Sequence, residues 1–289
     1  MKYGMLNHFW GNVWKCDYIE TAKKIRNAGF DVMEIGANHL YDMTDAEINA
    51  LKDVSKGLGL ELSTNIGPSK DYDLASPDAG VRAAGVAYIQ RLIEKMSRVG
   101  SRALGGAMYS YWPCSFDYIN KEQAWEDSIA GMKEVAKAAE EYDVVCSLEV
   151  LNRFETYIMT DCKEGLEYLD RVGSDHIKLL LDTFHMNIEE DSLPGAIRLA
   201  GDKLGHLHLG EGNRKLPGLG SLPWMEIGQA LRDINYQEYA VIEPFMRWGG
   251  EIGPVIHIWR DLSEGATTEE EMTEQAKISL AFLKKNFEG

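Results

Sequence analysis

Short aliphatic or β-branched runs alternate with amphipathic patterns eight times along the chain. The runs YGMLNHFW (3–10), DVMEIGA (31–37), ELSTNIG (61–67), RALGGAMY (102–109), VVCSLEV (144–150), IKLLLDT (177–183), LGHLHLG (204–210) and YAVIEPF (239–245) read as buried strands. Helices are expected over 18–29, 45–59, 81–100, 124–142, 162–173, 193–205, 223–234 and 269–287. In the third of these, Val86, Ile89, Ile93 and Met96 share one face while Arg91, Glu94 and Lys95 fall on others. The glycines of NAGF, GLGL and RVGS stand where left-handed helix ends are wanted, and Pro223 suits a first helical turn.

Strands alternating with helices pair in parallel through right-handed crossovers. Eight such units within 289 residues predict an α/β fold, a (β/α)8 TIM barrel forming one domain over 1–289. A doubly wound open sheet is the structural competitor, but GMLNHFWGNVW lacks the GxGxxG fingerprint such a sheet carries after its first strand. No Pro/Ser-rich linker marks a second domain, and the irregular stretches 67–80 and 247–267 are expected as loops over a barrel face.

Charge narrows the partners. A net charge of −16 with no Lys/Arg cluster disfavours nucleic acid and acidic membrane surfaces, so a neutral or cationic small molecule is expected instead. No uninterrupted apolar run is long enough to span a bilayer, and the first residues lack a secretory pattern, so a cytoplasmic location is expected. Cys16, Cys114, Cys146 and Cys162 have no CxxC spacing and read as reduced thiols, Cys146 as a small buried hydrophobe.

In a barrel of this kind the chemistry gathers at the carboxyl ends of the strands. Four polar residues end consecutive strands: Glu149, Asp182, His208 and Glu243. Singly, each reads as readily as a helix cap, an ion-pair partner or a hydrogen-bonded structural residue. Together, three carboxylates at one rim repel one another unless a cation sits among them, and a divalent metal with mixed O/N ligands resolves that repulsion. His185 is expected in the loop beyond Asp182, facing whatever the metal binds. Glu155 and Arg214 follow their strands at short range, where a surface salt bridge is an equally open reading. His206, two residues deeper than His208 on the same strand face, is expected in the barrel interior.

At these residues the sequence resembles a known family. EVLNRFE, LDTFHMNIEED, GHLHLGEGNR, LPWMEIGQALRDINY, IEPFMRWGG, WRDLSEGA and GGAMYSYWP are similar to the ketose 3-epimerases, the group of D-tagatose and D-psicose (D-allulose) 3-epimerases with a xylose-isomerase-like barrel. The resemblance implies metal ligands at Glu149, Asp182, His208 and Glu243, and one divalent ion per subunit, Mn2+ or Co2+ with Mg2+ less effective. It implies substrate contacts at Glu155, His185 and Arg214, with Trp112 and Phe245 forming the apolar side of the pocket. The first strand departs from the family: Leu6 and Asn7 stand where an aromatic pair is usual, with His8 available to replace the lost polar contact.

Inverting C3 of a 2-ketose requires removal of a proton beside a carbonyl and its return on the other face, through a cis-enediolate. Glu149 and Glu243, approaching from strands five and eight, are expected as the acid/base pair, with His185 and Arg214 at the carbonyl end and Trp112, Trp14 and Phe245 offering flat apolar faces. The same site admits an aldose-ketose isomerase as its alternative. A DNA-repair endonuclease wants more histidines and a basic surface, and a carbohydrate-binding protein has little use for several carboxylates around one ion. A homodimer or homotetramer is the expected assembly, with Trp248 and Trp259 as interface candidates.

Overall fold

The computed structural model describes residues 1–116 and 119–289. Its strands are β1 (Lys2–Leu6), β2 (Val32–Gly36), β3 (Glu61–Ile66), β4 (Ala103–Gly106), β5 (Val145–Val150), β6 (Ile177–Asp182), β7 (Leu204–Leu209) and β8 (Tyr239–Ile242). All pair in parallel in chain order, and β8 pairs back onto β1 through Lys2–Tyr239 and Met5–Ile242, which closes the barrel. A TIM barrel is therefore the fold, as the eight-fold alternation predicts.

The expected helices are present as α1 (Tyr18–Asn27), α3 (Asp45–Leu58), α4 (Ala79–Val99), α5 (Lys121–Tyr142), α6 (Cys162–Val172), α8 (Leu193–Ala200), α9 (Trp224–Asp233) and α11 (Glu269–Glu288). Three short ones add to them: α2 (Ala37–Asp42), α7 (Thr183–Glu189) and α10 (Ile252–Val255). Along α4, Ile89, Ile93 and Met96 are buried and Val86 is partly so, as the spacing requires. Gly59, Gly100 and Gly173 end α3, α4 and α6 with φ of 62°, 93° and 75°, a conformation that costs glycine little. Thr44 and Thr268 each form a capping box with a glutamate three residues on. Pro223 sits one residue earlier than expected, at the N-cap of α9 rather than inside its first turn.

His185 departs from the expected loop. Asp182 Oδ1 accepts the Phe184 amide at 2.9 Å, and this cap starts α7 directly at the strand end, so His185 lies on a helix. The 67–80 segment carries a single turn of 3-10 helix at Lys70–Tyr72, and 247–267 carries α10. Among the described residues, no helix is long and apolar enough to cross a membrane. Trp248 and Trp259 are exposed, and none of the four cysteines is bridged.

Candidate active site

A cavity of about 370 Å³ opens at the carboxyl ends of the strands. Leu6, His8, Trp14, Trp112, Glu149, Glu155, His185, Arg214, Glu243 and Phe245 all line it. Asp182 and His208, with no exposed surface, lie beneath its floor. The structure thus brings the twelve singled-out residues to one place, although they come from six of the eight strand-to-helix units.

At the floor, His208 Nδ1 has no hydrogen-bond partner and lies 3.5 Å from both Glu149 Oε1 and Glu243 Oε2. Its Nε2 is 2.7 Å from Glu34 Oε1. Asp182 Oδ2 lies 3.0 Å from Arg214 Nη1, which also reaches Glu243 Oε2 at 3.2 Å. Glu149, His208 and Glu243 offer ligand atoms within 4.8 Å of one another, as do Glu149, Asp182 and His185. The donor set is three carboxylates and one imidazole whose free nitrogen points at two of them, which fits a divalent cation of hard or borderline character.

The electrostatics follow from burial among like charges. Burial pushes the Asp182 carboxyl up to about 7 against the pull of the Arg214 guanidinium, and Glu243 and Glu149 add to the rise. Burial likewise raises Glu149, opposed by His208. For Glu243 burial acts upward too, but His208 and Arg214 outweigh it and hold the carboxyl below its usual range. The His208 imidazole, which burial alone would lower, is held well above its ordinary value by Glu243 and Glu34.

Above the floor, His185 Nδ1 accepts the Asn152 amide at 3.2 Å, so the ring proton of the neutral imidazole sits on Nε2. That nitrogen faces Asp182 Oδ2 at 3.5 Å and Glu149 Oε1 at 3.7 Å. Burial, Arg214 and His208 keep this ring neutral by lowering its pKa well below the usual range. Arg214 is held at φ 63° in the turn after β7, with its amide donating to Glu211 O at 2.8 Å and its carbonyl accepting the Phe245 amide at 3.1 Å. Its guanidinium stacks 3.7 Å from the Phe184 ring centroid. Such a non-glycine residue in the left-handed region persists only where its surroundings fix it.

Glu155 lies inside the cavity rather than in a surface salt bridge. It accepts Trp112 Nε1 at 2.7 Å and Asn152 Nδ2 at 3.0 Å, and stands 3.9 Å from Arg214. The Trp112 indole lies on Gly67, where a Cβ would approach it to 2.8 Å. His8 stacks on Phe245 at 5.5 Å and meets Trp14 edge-on at 5.3 Å. Burial brings its pKa down to about 4, although Glu243 and Glu34 pull upward, so this ring enters the cavity wall neutral.

Several residues of the site escape the strand-end reading. Glu34, in the middle of β2, carries the same signal as Asp182, a carboxylate inside an aliphatic run. Asn152 looks like an ordinary turn residue, and only its contacts with His185 and Glu155 reveal its place. Asn7 after β1, Asn38 and His39 on α2, Asn65 on β3 and Glu251 before α10 add polar groups to the cavity wall. His206 is in the barrel interior as expected, 2.9 Å from Glu34.

With fold and geometry in place, similarity defines the class: the xylose isomerase-like TIM barrel family matches residues 22–285. Within it, the chain is 44% identical over 283 residues to D-psicose 3-epimerase of Ruminiclostridium cellulolyticum, covering 98% of this chain and 96% of that one. D-psicose 3-epimerase of Enterocloster bolteae is 45% identical over 290 residues, with 99% and 96% covered. A solved structure of D-psicose 3-epimerase with D-tagatose from Clostridium cellulolyticum H10 superimposes with a TM-score of 0.97 at 44% identity over 99% of each chain. The chain belongs to the ketose 3-epimerase family and is an epimerase.

Proposed function

We propose that this protein inverts C3 of free ketohexoses, interconverting D-fructose and D-psicose, with D-tagatose and D-sorbose as further substrates. One observation carries the reading: two glutamates from β5 and β8 converge on one histidine nitrogen, each 3.5 Å from it, at the floor of a cavity of sugar size. The names of the relatives support the choice of substrate.

Glu149, Asp182, His208 and Glu243 would hold one divalent cation, Mn2+ or Co2+ with Mg2+ also accepted. Bound there, such an ion supplies Lewis-acid stabilisation of the oxyanion that forms as the C3 proton leaves. The protein's own groups do the rest. Glu149 and Glu243 approach from different strands, so that one removes the proton from one face of C3 while the other, protonated, delivers its own to the opposite face. Epimerisation is reversible, and the two exchange duties with direction.

His185 donates from Nε2 and Arg214 from its guanidinium to the O1/O2 end, which fixes the carbon lying between the carboxylates. Glu155 orients Arg214 and Trp112 and accepts a substrate hydroxyl. Trp112, Trp14 and Phe245 cover the C–H faces and exclude water, while Leu6 and His8 meet the far end of the sugar. We infer a cytoplasmic homodimer or homotetramer in which the exposed Trp248 and Trp259 are covered.

D-fructose incubated with the Mn2+-loaded protein in D2O is expected to yield D-psicose carrying deuterium at C3, read by NMR. Glu149→Gln and Glu243→Gln are each expected to abolish D-psicose formation, and to leave C3 exchange only in the epimer whose proton faces the surviving glutamate. An aldose product would replace the reading with aldose-ketose isomerisation, and D-psicose formation at the wild-type rate in either variant would remove that glutamate from the acid/base pair.

A further inference from the structure

Glu34 stands in the aliphatic strand β2 with no exposed surface, and neither the proton transfer nor the sugar cradle employs it. Its carboxylate crosses the barrel interior toward β7. Oε1 lies 2.7 Å from His208 Nε2, while Oε2 accepts Ser63 Oγ at 2.8 Å and lies 2.9 Å from His206 Nε2. Ser63 is the register partner of Glu34 on β3, so the carboxylate is held from the neighbouring strand as well as from across the barrel. A leucine would fill such a position without the desolvation cost of a buried charge, so the carboxylate has to be explained by what it holds.

We propose that Glu34 is a positioning residue that fixes His208 as its Nε2–H tautomer and thereby raises the affinity of the Glu149–Asp182–His208–Glu243 cluster for a divalent cation. An ionised carboxylate only accepts hydrogen bonds, so the imidazole nitrogen facing it carries the proton. A ring that ligates a cation keeps one proton, and with that proton on Nε2 the Nδ1 lone pair is turned toward Glu149 and Glu243, where Nδ1 has no other partner. The Ser63 hydroxyl prevents the carboxylate from rotating away. Glu34, His206 and His208 also offer three ligand atoms within 4.8 Å of one another, but the two Glu34 oxygens are already engaged at hydrogen-bond distance by Ser63 and His208. A cation seated between Glu34 and the histidines would have to break those bonds.

The inference rests on the metal reading of the cluster, and the experiment separates the two. Calorimetric titration of chelator-treated wild type with Mn2+ is expected to show one equivalent per chain. Glu34→Gln, with an unchanged circular dichroism spectrum, is expected to bind one equivalent about 10- to 100-fold more weakly. Ser63→Ala, which frees only Oε2, is expected to weaken Mn2+ by a smaller factor. A long-range 1H–15N spectrum of the Mg2+-loaded wild type is expected to report His208 with its proton on Nε2, and this measurement decides the matter if Glu34→Gln does not fold. Mn2+ affinity in Glu34→Gln within about twofold of wild type overturns the positioning of His208 and leaves the metal reading standing. A proton on Nδ1, or two equivalents of Mn2+, does the same. Wild type that takes up no Mn2+ overturns both.

Discussion

Glu155 joins the indole of Trp112, the side chain of Asn152 and the guanidinium of Arg214 through one carboxylate. Trp112→Phe keeps an aromatic face against Gly67 and removes only the N–H that Glu155 accepts. A hydrogen bond to a charged acceptor contributes about 1.5–3 kcal/mol, and the partial exposure of Glu155 places this one at the low end, so kcat/KM is expected to fall roughly tenfold. If the bond orients the sugar as proposed and moves no proton, the rise in KM should exceed the fall in kcat in steady-state assays on D-fructose. The thiols allow a second test at this scale. Burial pushes both Cys146 and Cys162 up to about 12, which leaves a thiolate fraction of about one in ten thousand at pH 8. A disulfide reagent at that pH is expected to titrate at most two of the four thiols in the folded protein, Cys16 and Cys114, and all four after denaturation.

At the scale of elements, what the sequence makes legible depends on how each element is stabilised. Strands and long helices are buried by periodic faces, and periodicity is visible in letters, so all eight strands and the eight long helices are placed to within a few residues. The short α2, α7 and α10 have no apolar period; α7 exists because the Asp182 carboxylate caps it, a local bond that the run LLLDTFH does not advertise. The same contrast governs the site. Glu149, Asp182, His208 and Glu243 are legible because each interrupts an apolar strand near its end, whereas Glu34 interrupts β2 below the rim and Asn152 interrupts nothing. Close contact between elements is also invisible in letters. Gly228 of α9 lies against the end of α11, where an added Cβ would come within 2.2 Å of Asn286 O. Since that neighbour is backbone, Gly228→Ala is expected to separate the two helices and cost about 1–3 kcal/mol, with the thermal midpoint falling by several degrees. Gly228 does not line the cavity, so kcat and KM should stay within about twofold of wild type.

Across the whole molecule, the barrel concentrates negative charge where it is least solvated. Glu34, Glu149, Asp182 and Glu243 are buried together, in a chain whose net charge is already −16, against Arg214 and the nearby histidines. Burial first, and Glu243 and Glu149 after it, push the Asp182 carboxyl up to about 7 against the pull of Arg214. A divalent ion bound by these groups in the folded state, and not by the unfolded chain, must stabilise the fold by mass action. At a free Mn2+ concentration of about 100 times its Kd the gain is roughly 2.7 kcal/mol, which for a chain of this size raises the thermal midpoint by about 5 °C. Differential scanning calorimetry should show that rise with Mn2+, its reversal by a chelator, and no comparable rise with the same ionic strength of NaCl. Asp182→Asn removes one charge while keeping an oxygen to cap α7, so it should unfold later than wild type without metal and gain much less from Mn2+. A midpoint indifferent to Mn2+ in a protein that still epimerises fructose would mean that the buried carboxylates are balanced by protons and Arg214 alone.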